Sequence, residues 1–166
     1  MKLLTSQDMP NVTGLILATK NIRMELKLCF PGIKFSIKSQ SFSMGNAVRV
    51  KWEDGPTEQQ VSDIISKYEQ GSFNGMTDSY EYSQDKFTKV YGGAKYVTLA
   101  RSYTDLAFSK AINKVASQWL REGDNIPTVE DYKNGNLWGV KFSGNYSQDA
   151  SELIRESLTS TSFGDM

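Results

Sequence analysis

Residues 33–71 read IKFSIKSQSFSMGNAVRVKWEDGPTEQQVSDIISKYEQG, and their periodicity decides the fold. Ile33, Phe35 and Ile37 alternate with Lys34, Ser36 and Lys38. After a polar loop ending in Gly45-Asn46, Val48, Val50 and Trp52 alternate with Arg49 and Lys51. A period of two in both segments predicts strands over 33–38 and 47–52, each with one buried face. Asp54-Gly55-Pro56 makes a turn. Thr57 and Gln60 then have the spacing of a capping box, ahead of an apolar stripe at Val61, Ile64, Ile65 and Tyr68. Gly71 is the expected stop for this helix. Two strands followed by a capped amphipathic helix predict an α+β fold.

Working outward, residues 13–30 carry Leu15, Ala18, Ile22, Leu26 and Cys29 at helical spacing, and Pro31-Gly32 ends that helix. Its opposite side bears Lys20, Arg23 and Lys27, a stripe that reads first as a solvated face. Beyond the central stretch, 72–79 reads as a loop. Gly92-Gly93 reads as a hairpin turn between strands near 82–91 and 95–102. A third helix is expected from about Thr104, with Phe108, Ala111, Ile112, Val115 and Trp119 on one side. A short helix over 128–134, a strand over 137–142 and a last amphipathic helix over 147–158 complete the reading. The whole is expected to be a single domain, 1–166. Its architecture is a two-layer sandwich, a mostly antiparallel sheet with helices packed on one face.

Composition narrows the function classes. The chain has 166 residues, 39% hydrophobic and 23% charged, which is globular rather than disordered. Its one cysteine, Cys29, leaves no disulfide framework. No apolar run approaches membrane-spanning length, and residues 1–6 are too weakly apolar for the core of a signal peptide, so the expected location is the cytoplasm. Charge balances overall but not locally. Residues 1–51 carry eight basic and two acidic side chains, net +6, and residues 52–83 carry one lysine against seven acids, net −6. Such alternation argues against a uniformly basic nucleic-acid binder and leaves room for one basic face. If the two central strands pair, Lys34, Lys38, Arg49 and Lys51 share it. Lys86, Lys89, Lys95 and Arg101, interleaved with Phe87, Tyr91 and Tyr96, could extend it.

The chain contains no histidine, which removes the commonest general base and metal ligand together with any Ser-His-Asp or Cys-His arrangement. Cys29 lies on an apolar stripe and reads as a core thiol. Neither a P-loop nor a dinucleotide fingerprint is present. The surviving catalytic reading rests on carboxylates, with Glu53 and Asp54 after the second strand and Asp78 and Glu81 flanking Tyr80. Ordinary turn chemistry explains the same residues. No cofactor and no metal are expected, and the chain is not expected to be an enzyme.

Four segments follow one another over about residues 13–104: Phe30-Pro31-Gly32-Ile33-Lys34-Phe35-Ser36; Val48-Arg49-Val50-Lys51-Trp52-Glu53-Asp54-Gly55-Pro56; Phe73-Asn74-Gly75-Met76-Thr77-Asp78; and Tyr91-Gly92 with Arg101-Ser102. In this order they resemble the large polyvalent protein-associated domain family 29. Residues 105–166 fall outside the resemblance. It implies a module of phages, plasmids and conjugative elements, in proteins that protect the element or assist its establishment. It carries over no catalytic residues. Asp78 and Arg101 are the polar motif residues without an evident fold duty, and an ion pair between them is one reading.

The expectation is therefore a mobile-element accessory protein that counters host defence by stoichiometric binding, in the manner of an anti-restriction or anti-CRISPR inhibitor. Its partner would be a host defence protein, and no membrane is involved. The alternative is a nucleic-acid-binding accessory protein acting on incoming DNA, and a metal-dependent carboxylate enzyme is the third. Expected binding residues are Lys34, Lys38, Arg49, Lys51, Asp78 and Arg101. The target and the oligomeric state cannot be read from the sequence.

Overall fold

The computed structural model describes residues 2–74, 76, 79–82 and 86–163, without the side chains of 72–74 and 79–82. The fold is α+β. Its residues cluster into two compact units, one of Met1–Trp52 with Glu58–Arg101, the other of Glu53–Thr57 with Ser102–Met166.

The first unit opens with α1 (Gly14–Cys29), where the Thr13 hydroxyl accepts from Ile16 N and Phe30 N–H closes the far end on Leu26 O. Strands β1 (Ser36–Phe42) and β2 (Gly45–Glu53) pair antiparallel, with Ser36 opposite Lys51 and Phe42 opposite Gly45. The polar loop expected before Asn46 is instead a tight hairpin, with Ser43-Met44 at its tip and Gly45-Asn46 already in the strand. Helix α2 (Glu58–Ile65) follows, continuing as a 3-10 turn over Ser66–Tyr68. Gly71 does not stop this helix; it opens β3 (Gly71–Asn74), which pairs antiparallel with β4 (Ser79–Tyr82) in a separate two-stranded sheet. The expected loop over 72–79 thus holds strand at both ends.

Helix α3 (Lys86–Tyr91) stands where a strand was expected. The reason is helical spacing: Phe87 and Tyr91, four apart, pack against the core, with Thr88 buried beside them. Gly92 is consequently not a hairpin turn. Its φ is +83°, and a Cβ there would lie 2.3 Å from Gly14 O and 2.6 Å from Ala18 N, so glycine lets the start of α1 pass directly over it. Strand β5 (Tyr96–Ser102) lies beside β2, giving the order β1-β2-β5. The sheet is mixed; with β1 and β2 antiparallel, β5 runs parallel to β2, and the residues between them make the crossover such a pair requires.

One face of this sheet is covered. Ile37, Val48, Val50 and Trp52 pack with Leu15, Ala18, Ile22 and Leu26 of α1 and with Val61, Ile65 and Tyr68. Buried Asn21 of α1 accepts from Leu4 N and donates to Leu4 O and Tyr91 O. Cys29 is exposed rather than a core thiol: it is the last residue of α1, and the apolar stripe ends with Leu26.

The second unit is helical, with α4 (Asp105–Trp119), α5 (Val129–Lys133) and α6 (Ala150–Ser160) around Ala111, Ile112, Val115, Phe142, Leu153, Ile154 and Leu158. Helices α5 and α6 each begin with a complete capping box, Thr128 with Asp131 and Asp149 with Glu152. The expected strand over 137–142 is absent: Gly135 and Gly139 take φ of 75° and 74°, so the chain turns. Leu137 and Phe142 are buried while Trp138 is 80% exposed. No helix among the described residues is long and apolar enough to cross a membrane.

Candidate functional site

The opposite face of the three-stranded sheet carries polar and cationic side chains. Along β1 the alternation that buries Ile37 leaves Ser36, Lys38, Gln40 and Phe42 exposed, and along β2 it leaves Arg49, Lys51 and Glu53 exposed. Register fixes their neighbours: Lys38 is directly opposite Arg49, Ser36 opposite Lys51 and Gln40 opposite Ala47. Directly opposed residues of an antiparallel pair have Cβ atoms about 4.5–5.5 Å apart. Two cations are thus held side by side, with a third one step of about 6.8 Å further along β2. The six residues of these three pairs, with Ser39, line a partly open depression of about 280 Å³. That is at or below the range of about 300–1,000 Å³ usual for small-molecule pockets, and fits a group on an extended partner better than a drug-sized ligand.

None of the side chains of Lys38, Arg49 and Lys51 makes a hydrogen bond or ion pair with any described residue. The acid of β2, Glu53, comes at its last position, beyond Lys51. Among the described residues, the centre of the face therefore carries positive charge with no ion-pair partner.

The hairpin end of the same face is aromatic. Phe42 stacks on Tyr96 across β2, with centroids 6.4 Å apart and planes 14° from parallel. Gly45 lies beside the stack: a Cβ there would meet the Phe42 ring at an ordinary contact distance of 3.4 Å and would displace Lys95 Cδ, 2.6 Å away. Lys95 Nζ lies 5.4 Å from the centre of the Tyr96 ring and donates to Met44 O, while its backbone N–H donates to the Asn46 side chain. Phe42 is 43% exposed, so the stack is accessible from solvent.

The other sequence-derived residues fall in different places. Lys34 is exposed two residues before β1 begins and does not line the depression. Arg101 shares the alternation of the half-buried Val97 and Leu99 of β5, whereas Thr98, Ala100 and Ser102 are the exposed set. Asp78 lies outside the described residues, and with it the Asp78–Arg101 pair. Lys86 and Lys89 sit on α3, away from the sheet strands, and Phe87 and Tyr91 belong to the core. Of the basic stripe on α1, Arg23 donates to Ile37 O at the outer edge of β1 and Lys20 reaches Met9 Sδ. The carboxylate reading also changes. Both oxygens of Asp54 accept from Thr104, from its N–H at 2.9 Å and its hydroxyl at 2.6 Å. Among the described residues no group of three or more potential metal ligands comes together. Phe42 and Gln40 were missed as site residues because the first strand was expected to end at Lys38: only Ile37 of β1 is buried, so no alternation marks its continuation to Phe42, while Ala47 was placed in the second strand but not counted at the site.

No curated protein and no solved structure matches the chain. A family model, that of the large polyvalent protein associated domain 29, matches residues 14–104, more than half of the 166 residues. That span covers α1 through β5 and so contains the whole cationic face. The chain belongs to the large polyvalent protein associated domain 29 family and is a mobile-element-associated protein.

Proposed function

We propose that this mobile-element protein counters host defence by stoichiometric binding, in the manner of anti-restriction and anti-CRISPR inhibitors, through the cationic face of its sheet. It acts in the cytoplasm of the host and catalyses no reaction. The observation that supports this reading is the pairing of Lys38 with Arg49. Like charges directly opposite in a sheet destabilise it by roughly 0.2–1 kcal/mol, so folding alone does not favour them. An anionic surface docked on the face removes that cost and gains charge-assisted hydrogen bonds. The depression on this face is open to solvent on one side, and Ser36, Ser39 and Gln40 line it beside the cations, an arrangement that a docked partner can enter.

The test is capture of the tagged protein's partners from nuclease-treated host lysate, identified by mass spectrometry, beside the Arg49→Glu/Lys51→Glu variant. Stable enrichment of one defence component by the parent protein and its loss in the variant is the expected result. Enrichment of no defence component, or equal enrichment by both proteins, would count against an inhibitor acting through this face.

A further inference from the structure

We infer that the anionic chain this face accepts is a single-stranded polynucleotide, with its phosphates on Lys38, Arg49 and Lys51 and a base on the Phe42–Tyr96 stack. The inference rests on the proposed function and deepens it: the anionic surface through which this face engages its defence component is a nucleic-acid strand that the component carries.

Three features point to nucleic acid rather than to an acidic protein segment. The first is the combination of cations and an exposed aromatic stack on one face. Carboxylates need only the cations, whereas a polynucleotide uses both, since every base has a π-face and stacking on aromatic side chains tolerates any sequence. The second is the order of groups. From the hairpin tip inward come the Phe42–Tyr96 stack, then Gln40 beside Ala47, then Lys38 beside Arg49, then Lys51 beside Ser36. This is an aromatic platform followed by a basic track, with small or neutral polar residues between them. The third is the shape. A depression open to solvent along the sheet face suits a strand laid into it, while reading duplex DNA calls for an element that enters a groove.

Lys95 fits the same picture, placing its ammonium by the aromatic platform. Three cations would neutralise about three phosphates. At about 0.7 per phosphate for single strands, log K should fall against log salt with a slope near −2. A face of this size predicts weak, sequence-tolerant binding, about micromolar at low salt.

The experiment is fluorescence anisotropy of the purified full chain with a labelled oligothymidylate of about 12 nucleotides, inside the range of known single-strand sites. Binding with a slope near −2 is expected, weakened about 5- to 150-fold by Phe42→Ala and restored by Phe42→Trp. Arg49→Glu/Lys51→Glu should abolish it at unchanged melting temperature. If that variant melts early, Arg49→Ala and Lys51→Ala singly should each reduce the slope by about 0.7. Three results would overturn the inference: no binding at low salt, equal binding of poly-L-glutamate, or binding indifferent to Phe42 and Arg49. Partner capture that depends on Arg49 and Lys51 without oligonucleotide binding would overturn it and leave the proposed function standing. Oligonucleotide binding without any captured defence component would do the reverse.

Discussion

The Tyr68 hydroxyl donates a 2.6 Å hydrogen bond to Glu25 Oε2, and Lys67 Nζ holds Oε1 of the same carboxylate at 2.6 Å. The Tyr68 ring is buried and packs edge-on against Phe87, while Lys67 lies over both rings. This cluster joins α1, the turn after α2, and α3. Burial and the neighbouring Glu25 carboxylate both push the Tyr68 hydroxyl well above its ordinary value of 10.0.

Tyr68→Phe keeps the ring and removes the hydroxyl. Loss of a hydrogen bond to a charged group predicts destabilisation of about 1.5–3 kcal/mol at neutral pH. The pH dependence has a definite sign. The native state keeps the phenolic proton where the unfolded chain releases it, so the stabilisation is complete below 10.0 and declines as pH rises above it. Urea unfolding of both proteins at neutral pH and above 10 should show the gap closing in alkali. A gap that stays constant would show that the hydroxyl contributes nothing through its proton.

Asn21 has no exposed surface and ties Leu4 and Tyr91 to α1 through three hydrogen bonds. Asn21→Leu leaves the Leu4 amide and the Tyr91 carbonyl to find other partners. It should cost about 1–3 kcal/mol, the usual penalty for orphaned polar groups. Amide exchange at Leu4 should accelerate more than exchange in β2, because the N-terminal segment loses its anchor first. Uniform acceleration would instead mean the whole unit had been loosened.

Edges of the sheet are closed by side chains. On β5, Val97 N–H donates to Glu69 and Arg101 N–H to Glu58, both at 3.3 Å. Burial raises the pKa of Glu69, and its bond from Val97 only partly opposes the shift. Native protein therefore binds this proton more tightly than unfolded chain does, and stability falls as pH rises from 4.5 through the raised value. Glu69→Gln keeps an acceptor for Val97 and deletes the desolvated charge. It should match or exceed the parent in stability at neutral pH, and the advantage should shrink in acid. A Gln variant less stable at every pH would place the carboxylate's value elsewhere.

How far the sequence disclosed this depended on what set each element. Strand β2 was legible because its buried face enforces alternation, whereas β1, expected over 33–38, runs over Ser36–Phe42 with only Ile37 buried; α1, α2 and α4 were legible because their apolar stripes are long. Helix α3 was not, since six residues are too few for a period to declare itself and Gly92-Gly93 imitates a hairpin turn. Only the packed structure shows that Gly92 serves contact with Gly14 and Ala18. The 137–142 segment is rich in apolar residues, but the chain turns at Gly135 and Gly139 instead of extending. At the candidate site, Lys38, Arg49 and Lys51 followed from alternation alone. Phe42 and its stack on Tyr96 required the register of the hairpin and the position of β5, which no local pattern contains.

Asp54, which the sequence read as an ordinary turn former and also as one of a set of carboxylates, accepts hydrogen bonds from Thr104 with its side chain. It takes φ of 53°, a region aspartate tolerates better than most residues, and both carboxylate oxygens are engaged by Thr104. Thr104 in turn caps α4, accepting from Ala107 N. Asp54→Ala removes the acceptor and adds backbone strain, so a loss of about 2–4 kcal/mol is expected from the capping and strain contributions together. Asp54→Asn tolerates the same φ and retains one acceptor oxygen, and should lose less than half as much. The carboxylate-enzyme reading makes the opposite demand. If Asp54 helped hold a divalent ion, magnesium or manganese would raise the melting temperature of the parent, and Asp54→Asn would abolish that rise. A structural Asp54 predicts no metal-dependent shift in either protein, together with a loss of α4 protection in the alanine variant. The two readings are thus separated by one set of thermal melts, with and without metal.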